Sequence, residues 1–283
     1  MLLCLQTIGD TVVMSPTSPV NMNGAIDSTL EAQGPIFLDH DTTVGAGETN
    51  INVLAQTQDL ELQTYTGVDL NVRANTVVVA ASHGLTDNLD LSIVIPIVQE
   101  LIDVRTTGTF VGHTEVTFSG ASDMSVRLKW HFLPHLAALL HATFPTGNSS
   151  KGLGTGDYFI TPGLAASTLV GPIQLSARVA YDVDLSYANK SSIRYGGGAS
   201  TLLYFPWLAG VFEFLATSGT GAEDPLIIFG TDYSKQHDFS IAFGLRAVLP
   251  HNFMAFVAGS YAFNNGGLRA TGVFPTVGIG GRF

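Results

Sequence analysis

The chain has few charged residues and a single cysteine. Of its 283 residues, 12% are charged, whereas a soluble domain usually carries about 25%. Cys4 alone excludes an internal disulfide framework and a cysteine-rich metal site. Basic residues are also scarce: 12 Lys and Arg stand against 23 Asp and Glu, and the net charge of −11 argues against nucleic acid as a partner.

Long hydrophobic runs are missing too, although 46% of the residues are hydrophobic. No stretch reaches the roughly 18 consecutive apolar residues of a membrane-spanning helix. High apolarity without long runs is typical of strands in which every second residue faces lipid and the others face a polar interior. A soluble β-sandwich would also alternate, but it would normally carry charge on its outer faces.

Residues 1–46 show no sustained period, and we interpret them as an irregular N-terminal arm preceding a barrel over 47–283. The apolar start is too short for a signal peptide and has no basic region, so we expect the full export segment to be missing from this start site. The arm could fold into the barrel as a plug or could be a disordered tail. Its apolar anchors would be Leu30, Ile36, Phe37 and Leu38.

From residue 49 onward, segments of period two follow one another between turn signals. Each is close to the ~9–11 residues that a tilted strand needs to cross a bilayer. The sequence therefore predicts about twelve strands, over 49–62, 70–82, 88–98, 122–133, 136–145, 157–169, 172–184, 192–205, 208–218, 237–249, 252–263 and 271–283. The glycines at 196–198 fall inside one of these strands, where they would allow curvature or leave space in the lumen.

The connections alternate in length, as they do in outer-membrane barrels with short periplasmic turns and long external loops. The short links are 83–87, 134–135, 170–171, 206–207 and 250–251. The long links are 99–121, 146–156, 185–191, 219–236 and 264–270, and only the first external link, 63–69, is modest. Aromatic residues gather near the strand ends, where interfacial girdles belong.

The last segment alternates most clearly and stops on an aromatic residue. One face carries Val273, Pro275, Val277, Ile279, Gly281 and Phe283, and the other carries Phe274, Thr276, Gly278, Gly280 and Arg282. This pattern predicts the closing strand of a barrel surrounded by outer-membrane lipid. We expect the barrel-assembly machinery to bind this strand through its end at Phe283.

The charged face of the strands must point inward, because an Arg or Lys facing lipid at mid-depth costs about 2–4 kcal/mol. The predicted lumen-lining residues are Arg127, Lys129, His131, His141, Arg178, Asp182, Asp184, Glu213, Asp238, Arg246 and Arg282. They could line a pore and tune its selectivity. They could equally form a salt-bridged filling that keeps a narrow barrel rigid, and their mixed signs favour that reading for most of them.

Two inward histidines, His131 and His141, lie on adjacent segments and could touch. A metal site would need a third ligand, so we expect neither metal nor cofactor. Nucleophilic catalysis would need a Ser near His141, and no local motif supports one. The glycines of residues 152–156 are not placed between a strand and a helix, so they are not a phosphate-binding loop.

Three stretches resemble the outer-membrane barrels grouped as the phenol-degradation meta-pathway family. They are HGLTDNLDLSIVIPIV (83–98), SGASDMSVRLKWHFL (119–133) and ATFPTGNSSKGLGTGDYFITPGL (142–164). The chain departs from the family pattern at Ala121, usually Gly, and at Trp130 and His131, usually Lys and Tyr. The resemblance implies a pore or transporter-like role with hydrophobic or aromatic cargo, and it carries no catalytic residues to transfer.

These observations together predict an all-β protein: an antiparallel transmembrane β-barrel of a bacterial outer membrane. Its expected function is the diffusion of a small hydrophobic or aromatic solute. The alternatives are a structural barrel with a filled lumen and, with less support, a barrel hydrolase.

Overall fold

The structure is a computed structural model of the chain. It describes residues 36–63, 68–106, 112–151, 153–185, 191–219, 227–228, 231–232, 237–264 and 273–283. Within these residues there is no helix of the length and apolarity needed to traverse a membrane.

Alternating residues form strands throughout the described chain. The strands are β1 (Thr49–Gln63), β2 (Val68–Thr86), β3 (Leu89–Thr106), β4 (Gly112–Ala121), β5 (Met124–Leu133), β6 (Leu136–Phe144), β7 (Phe159–Val170), β8 (Ile173–Asp184), β9 (Ser192–Leu202), β10 (Leu208–Gly219), β11 (Ile227–Ile228), β12 (Thr231–Asp232), β13 (His237–Leu249), β14 (Phe253–Asn264) and β15 (Val273–Arg282). A 3-10 turn at Ser149–Lys151 lies between β6 and β7. The fold is all-β, as predicted.

The strands close into an antiparallel barrel. β4 and β5 are two parts of one crossing, since both pair with β3, so that the described chain crosses twelve times. Among the described residues, β11 and β12 pair with each other and with no strand of this sheet. Closure is made by β1 and β15, and beyond their ladder the backbones of Thr49 and Phe283 exchange two hydrogen bonds of 2.9 and 2.8 Å. A closed sheet leaves no open edge in the lipid.

Each of the twelve predicted segments corresponds to one crossing, but the predicted external link at 99–121 was wrong. β3 continues to Thr106 and pairs with β4 along Thr106 to Ile97. The alternation in fact continues there, with Ile102 and Val104 on one face and Asp103 and Arg105 on the other. Within the described residues β4 pairs with β3 alone, and all its side chains are exposed or half-buried. The β3–β4 hairpin therefore rises above the barrel wall.

The distribution of apolar and polar side chains is the reverse of that in a soluble protein. Outward-facing Ile93, Val277 and Ile279 are 43%, 52% and 51% exposed, whereas inward-facing Arg127 and Lys129 are buried. A soluble domain hides its large apolar side chains and exposes its charges. The apolar belt is therefore the lipid-facing surface. In β15 the predicted faces are confirmed, because Phe274 and Thr276 point inward and are buried.

Aromatic side chains gather at the short turns. Phe205 and Trp207 stack with their ring centroids 5.2 Å apart, and Tyr204 packs edge-on against Phe205. At the same end of the barrel, Phe253 lies edge-on to the terminal Phe283. Trp and Tyr, whose rings carry one polar edge, are favoured at the level of lipid headgroups, and here Tyr204 and Trp207 pack with the neighbouring phenylalanine rings. These residues mark the periplasmic membrane interface.

Candidate functional site

Residues 36–46, here called the inner segment, lie inside the barrel. Ile36, Phe37, Leu38, Asp39 and His40 are all at most 2% exposed. Only at Ala46 does the segment form a bridge to Gly84 of the wall, before β1 begins. Residues 1–35, including the predicted anchor Leu30, lie outside the described residues. The described end of the expected arm thus occupies the lumen.

Glu213 of β10 holds the start of the inner segment. Its carboxylate accepts the backbone N–H groups of Ile36, Phe37 and Leu38 at 3.0, 2.8 and 3.2 Å. Buried N–H groups outside a ladder must find an acceptor elsewhere. Charge-assisted bonds to a carboxylate are stronger than neutral ones. A single side chain of the wall therefore satisfies three consecutive backbone donors.

Asp39 joins two wall strands through its two carboxylate oxygens. Arg127 Nη1 of β5 donates to Asp39 Oδ1 at 2.7 Å, and Arg178 Nη1 of β8 forms an ion pair with Oδ2 at 2.7 Å. Arg127 also donates through Nη2 to Ser92 Oγ at 3.1 Å. All three charged side chains are buried. Removing one member of such a buried set leaves an uncompensated charge, which costs about 3–5 kcal/mol.

The next residues of the inner segment bind polar groups of several strands. Gln174 of β8 donates to His40 Nε2, and Ser167 of β7 donates to Asp41. Lys129 of β5 donates to the Thr42 carbonyl and lies 3.6 Å from Asp90 of β3. Asp90 in turn accepts the N–H of Val44 at 3.2 Å. The segment is thus bound by side chains around the lumen and not by a strand ladder.

The other side of the lumen is apolar. Ile36 and Phe37 pack in one cluster with inward residues of β1, β2, β3, β10, β13 and β14, namely Leu54, Val78, Ala80, Val94, Val211, Ala242, Phe256 and Ala258. We call these eight wall residues the apolar band. The interior therefore has an apolar band and a charged side, on which β5 and β8 supply Arg127, Lys129 and Arg178. Buried charges also stand on strands that supply the apolar band, namely Asp90 of β3, Glu213 of β10 and Arg246 of β13.

Leu38 fits against the glycine run of β9. A Cβ placed at Gly196 would lie 2.8 Å from Leu38 Cδ2, and one at Gly198 would lie 3.3 Å from Leu38 Cδ1. Contacts below 3.0 Å are forbidden to real side chains, and the same Cβ at 196 would lie 2.5 Å from the carbonyl oxygen of Phe214. A larger residue there would therefore displace both Leu38 and the backbone of β10. This agrees with the prediction that the run leaves space in the lumen.

Most of the predicted lumen-lining residues point inward. Arg127, Lys129, His141, Arg178, Asp182, Asp184, Glu213 and Arg246 are buried. His131 and Arg282 are half-buried, and Arg282 forms an ion pair with Glu48 at 3.0 Å. Asp238 lies in β13, with its side chain outside the described ones. A role of these residues in lining a solute path stays a prediction.

The two histidines do not meet. His141 of β6 is opposite Arg127, whereas His131 of β5 is opposite Ala137, four residues further along the ladder. At about 3.4 Å per residue this separates them by roughly 14 Å along the ladder. Among the described residues, neither ring nitrogen of His141 has a hydrogen-bond partner. The expectation that they could touch was wrong, because strand period alone does not determine the register between β5 and β6.

Arg194 and Asp39 are interior residues outside the predicted lumen-lining set. Arg194 of β9 forms an ion pair with Asp182, which also accepts from Thr161 Oγ1 at 2.6 Å and Ser192 Oγ at 2.9 Å. Its position between the outward Ile193 and Tyr195 would have identified it. Asp39 could not be found this way, because the inner segment has no strand period.

Asp123 fastens an external loop at the break between β4 and β5. Its carboxylate accepts the N–H of Gly147 at 3.0 Å, and the N–H and hydroxyl of Thr155 at 2.6 and 2.8 Å. A Cβ at Gly154 would lie 2.4 Å from Asp123 Oδ1. The Ser-Gly…Asp and Pro-Thr-Gly stretches, which are distant in sequence, therefore form one structural unit.

The fold is similar to that of solved outer-membrane proteins. The COG4313 outer membrane channel from Pseudomonas putida F1 is 16% identical, with a TM-score of 0.59 over 86% of this chain and 97% of that chain. A FadL homologue of Pseudomonas aeruginosa is 9% identical, with a TM-score of 0.47 over 95% of this chain and 94% of that one. The second likeness is too weak to support an inference. No protein with a curated description matches the sequence.

The closed barrel with its lipid-facing belt is a protein of the bacterial outer membrane. Its sequence matches, over residues 42–270, the family described as "Putative MetA-pathway of phenol degradation". This match covers the end of the inner segment and the barrel from β1 to β14, and the chain belongs to that family.

Proposed function

We propose that the chain is a channel for small hydrophobic or aromatic solutes, closed by the inner segment as a displaceable plug. The observation that carries the proposal is the division of the lumen. The apolar band surrounds Ile36 and Phe37, while the segment itself is bound through side chains. Such contacts can be released one by one, whereas strand ladders of a closed barrel cannot. Membership of a family named for phenol degradation supports an aromatic cargo.

The inner segment has to move for a solute to pass. A cavity of about 20 Å³ remains beside Leu38 and Arg178, which is room for about one water molecule. A phenol-sized molecule entering there must displace Leu38. Diffusion down a gradient is the expected driving force.

Purified protein in planar bilayers tests the proposal. We expect rare, small steps from the wild type and frequent larger steps from Asp39→Ala, because this variant loses both ion pairs of the inner segment. Liposomes containing Asp39→Ala should also take up a neutral aromatic alcohol faster than those containing the wild type. A folded Asp39→Ala barrel that neither conducts nor admits the alcohol contradicts the proposal.

The second candidate is a structural barrel whose lumen is permanently filled. The buried ion pairs of Asp39 with Arg127 and Arg178 favour it, because such a network can hold a narrow barrel rigid. It predicts that Asp39→Ala lowers stability without opening a path. Conductance and thermal unfolding of the same preparation separate the two.

We also infer that the chain is not a hydrolase. The support is geometric: the buried His141 has no hydrogen-bonded serine among the described residues, whereas a nucleophilic serine needs a base within hydrogen-bond reach. Hydrolysis of a lipid or peptide ester that disappears in His141→Ala would contradict this inference.

A further inference from the structure

The inner segment places an apolar group and a carboxylate close together in the lumen. Phe37 lies against the apolar band, and Asp39, two residues later, lies between Arg127 and Arg178. Two residues of extended chain span at most about 7 Å. The segment therefore resembles a small amphipathic acid in its bound position.

The Arg127 and Arg178 guanidinium groups are arranged for a carboxylate. They come from β5 and β8, and each lies 2.7 Å from a different oxygen of Asp39. All three side chains are at most 3% exposed. Guanidinium groups are the preferred partners of carboxylates where both are buried, because their planar donors match the two oxygens.

The surrounding charges also favour an anion at this place. The neighbouring cations are Lys129, which lies beside Asp90, and Arg194, which is paired with Asp182. If Asp39 leaves, Arg127 and Arg178 both lose the carboxylate that pairs with them, while the pairs of Lys129 with Asp90 and of Arg194 with Asp182 remain. The site then gains from any acid that can take the position of Asp39, since a buried charge needs a counter-charge.

We infer that the opened lumen binds an amphipathic monocarboxylate, with its carboxylate on Arg127 and Arg178 and its apolar body on the apolar band. The inner segment competes with this ligand, because Asp39 and Phe37 occupy the same arginines and the same apolar band. The inference rests on the proposed function, because it requires the segment to be displaceable. It adds a charged head group to a cargo that would otherwise be selected by apolarity alone.

The test compares phenylbutyrate with phenylbutanol, which differ in the head group and share the apolar body. Binding to the full chain in detergent micelles is measured by titration calorimetry. In Asp39→Asn the competing carboxylate is gone while the side-chain shape is kept. We expect this variant to bind phenylbutyrate about tenfold more tightly than the wild type does, with phenylbutanol changed by less than about threefold.

Two further variants locate the effect. Adding Arg127→Gln and Arg178→Gln to Asp39→Asn should abolish the preference for the acid over the alcohol. Adding Arg73→Gln instead should keep it, because Arg73 pairs with Asp59 on the exposed outer surface. Every preparation is first checked for the change in gel migration on heating that folded barrels show.

Equal tightening for acid and alcohol, no tightening for either, or a preference that survives the loss of both arginines overturns the inference. If phenylbutanol still enters liposomes through Asp39→Ala, only the head-group specificity has failed. If the alcohol does not enter either, the proposed channel function has failed as well.

Discussion

Arg127 and Asp39 are 88 residues apart in the sequence, yet Arg127 Nη1 lies 2.7 Å from Asp39 Oδ1 inside the barrel. The pair connects the wall to a segment that precedes the first strand. It shows why an inward-facing charge in a barrel of this width need not meet water. The wall charges and the inner segment form one buried network.

Glu213→Gln should loosen the inner segment. Gln keeps the size of Glu, but it has one acceptor oxygen, and its amide N–H₂ would face the backbone donors of residues 36–38. Losing a buried charged acceptor costs about 1–3 kcal/mol, equivalent to a roughly 5- to 150-fold rise in the displaced population. The occupancy of open steps in planar bilayers measures this.

Asp59→Asn is the control for that substitution. It also removes a carboxylate, but one that is paired with Arg73 on the outer surface. Its conductance should equal that of the wild type. If Glu213→Gln shows no more open steps than Asp59→Asn, the three bonds do not hold the segment.

Ile93→Arg should destabilise the membrane-embedded barrel by about 2–4 kcal/mol. Ile93 is an outward residue in the middle of the apolar belt on β3. Gln99→Arg lies on the same face of the same strand, six residues higher and above the belt, and should have little effect. Urea unfolding in liposomes, followed on heat-dependent gels, compares them. Equal losses of unfolding free energy in the two variants would show that residue 99 does not lie outside the bilayer relative to residue 93.

Asp123→Ala should free the loop of residues 145–158. It removes the acceptor of three hydrogen bonds from Gly147 and Thr155. Trypsin should then cut the folded barrel after the exposed Lys151 about tenfold faster than in the wild type, because local opening controls proteolysis of a folded chain. Ser150→Ala, a change within the same loop, should leave the rate unchanged. Equal rates in all three proteins would show that Asp123 does not fasten the loop.

We propose that the assembly machinery recognises the end of β15, and Phe283→Ser tests this. Phe283 follows β15 and is 69% exposed on the outer face. The variant should accumulate less folded barrel in membranes, since an assembly factor would lose its aromatic contact. Tyr204→Ser removes an exposed aromatic at the same end of the barrel and should assemble normally. Equal yields of the two variants would contradict a specific role of Phe283.

The sequence predicts the barrel well because each strand shows the alternation of inward polar and outward apolar residues in its own sequence. In β8 the inward Gln174, Ser176 and Arg178 alternate with outward Ile173 and Leu175, and this period survives in the structure. The β3–β4 hairpin was not predicted because both of its faces meet water. Polar residues therefore occupy both faces, and the contrast between the faces is weak. The alternation reaches Arg105, but it does not show that residues 102–106 are in a strand and not in a loop.

The interior was predictable only in part. The alternation along β5 and β8 shows that Arg127 and Arg178 point inward, but it does not show what they bind. The partner, Asp39, lies in a stretch without period, and its position depends on long-range contacts with several strands. Register has the same limit, which is why His131 and His141 were expected to meet and do not.

The fit of Leu38 against Gly196 and Gly198 links two distant parts of the chain in evolution. A relative with a bulkier residue in the glycine run would need a shifted β10 backbone, and it should also carry a residue smaller than leucine at the facing position or lack the segment there. Paired changes at the glycine run and at the position of Leu38 would identify the relatives in which an inner segment fills the lumen.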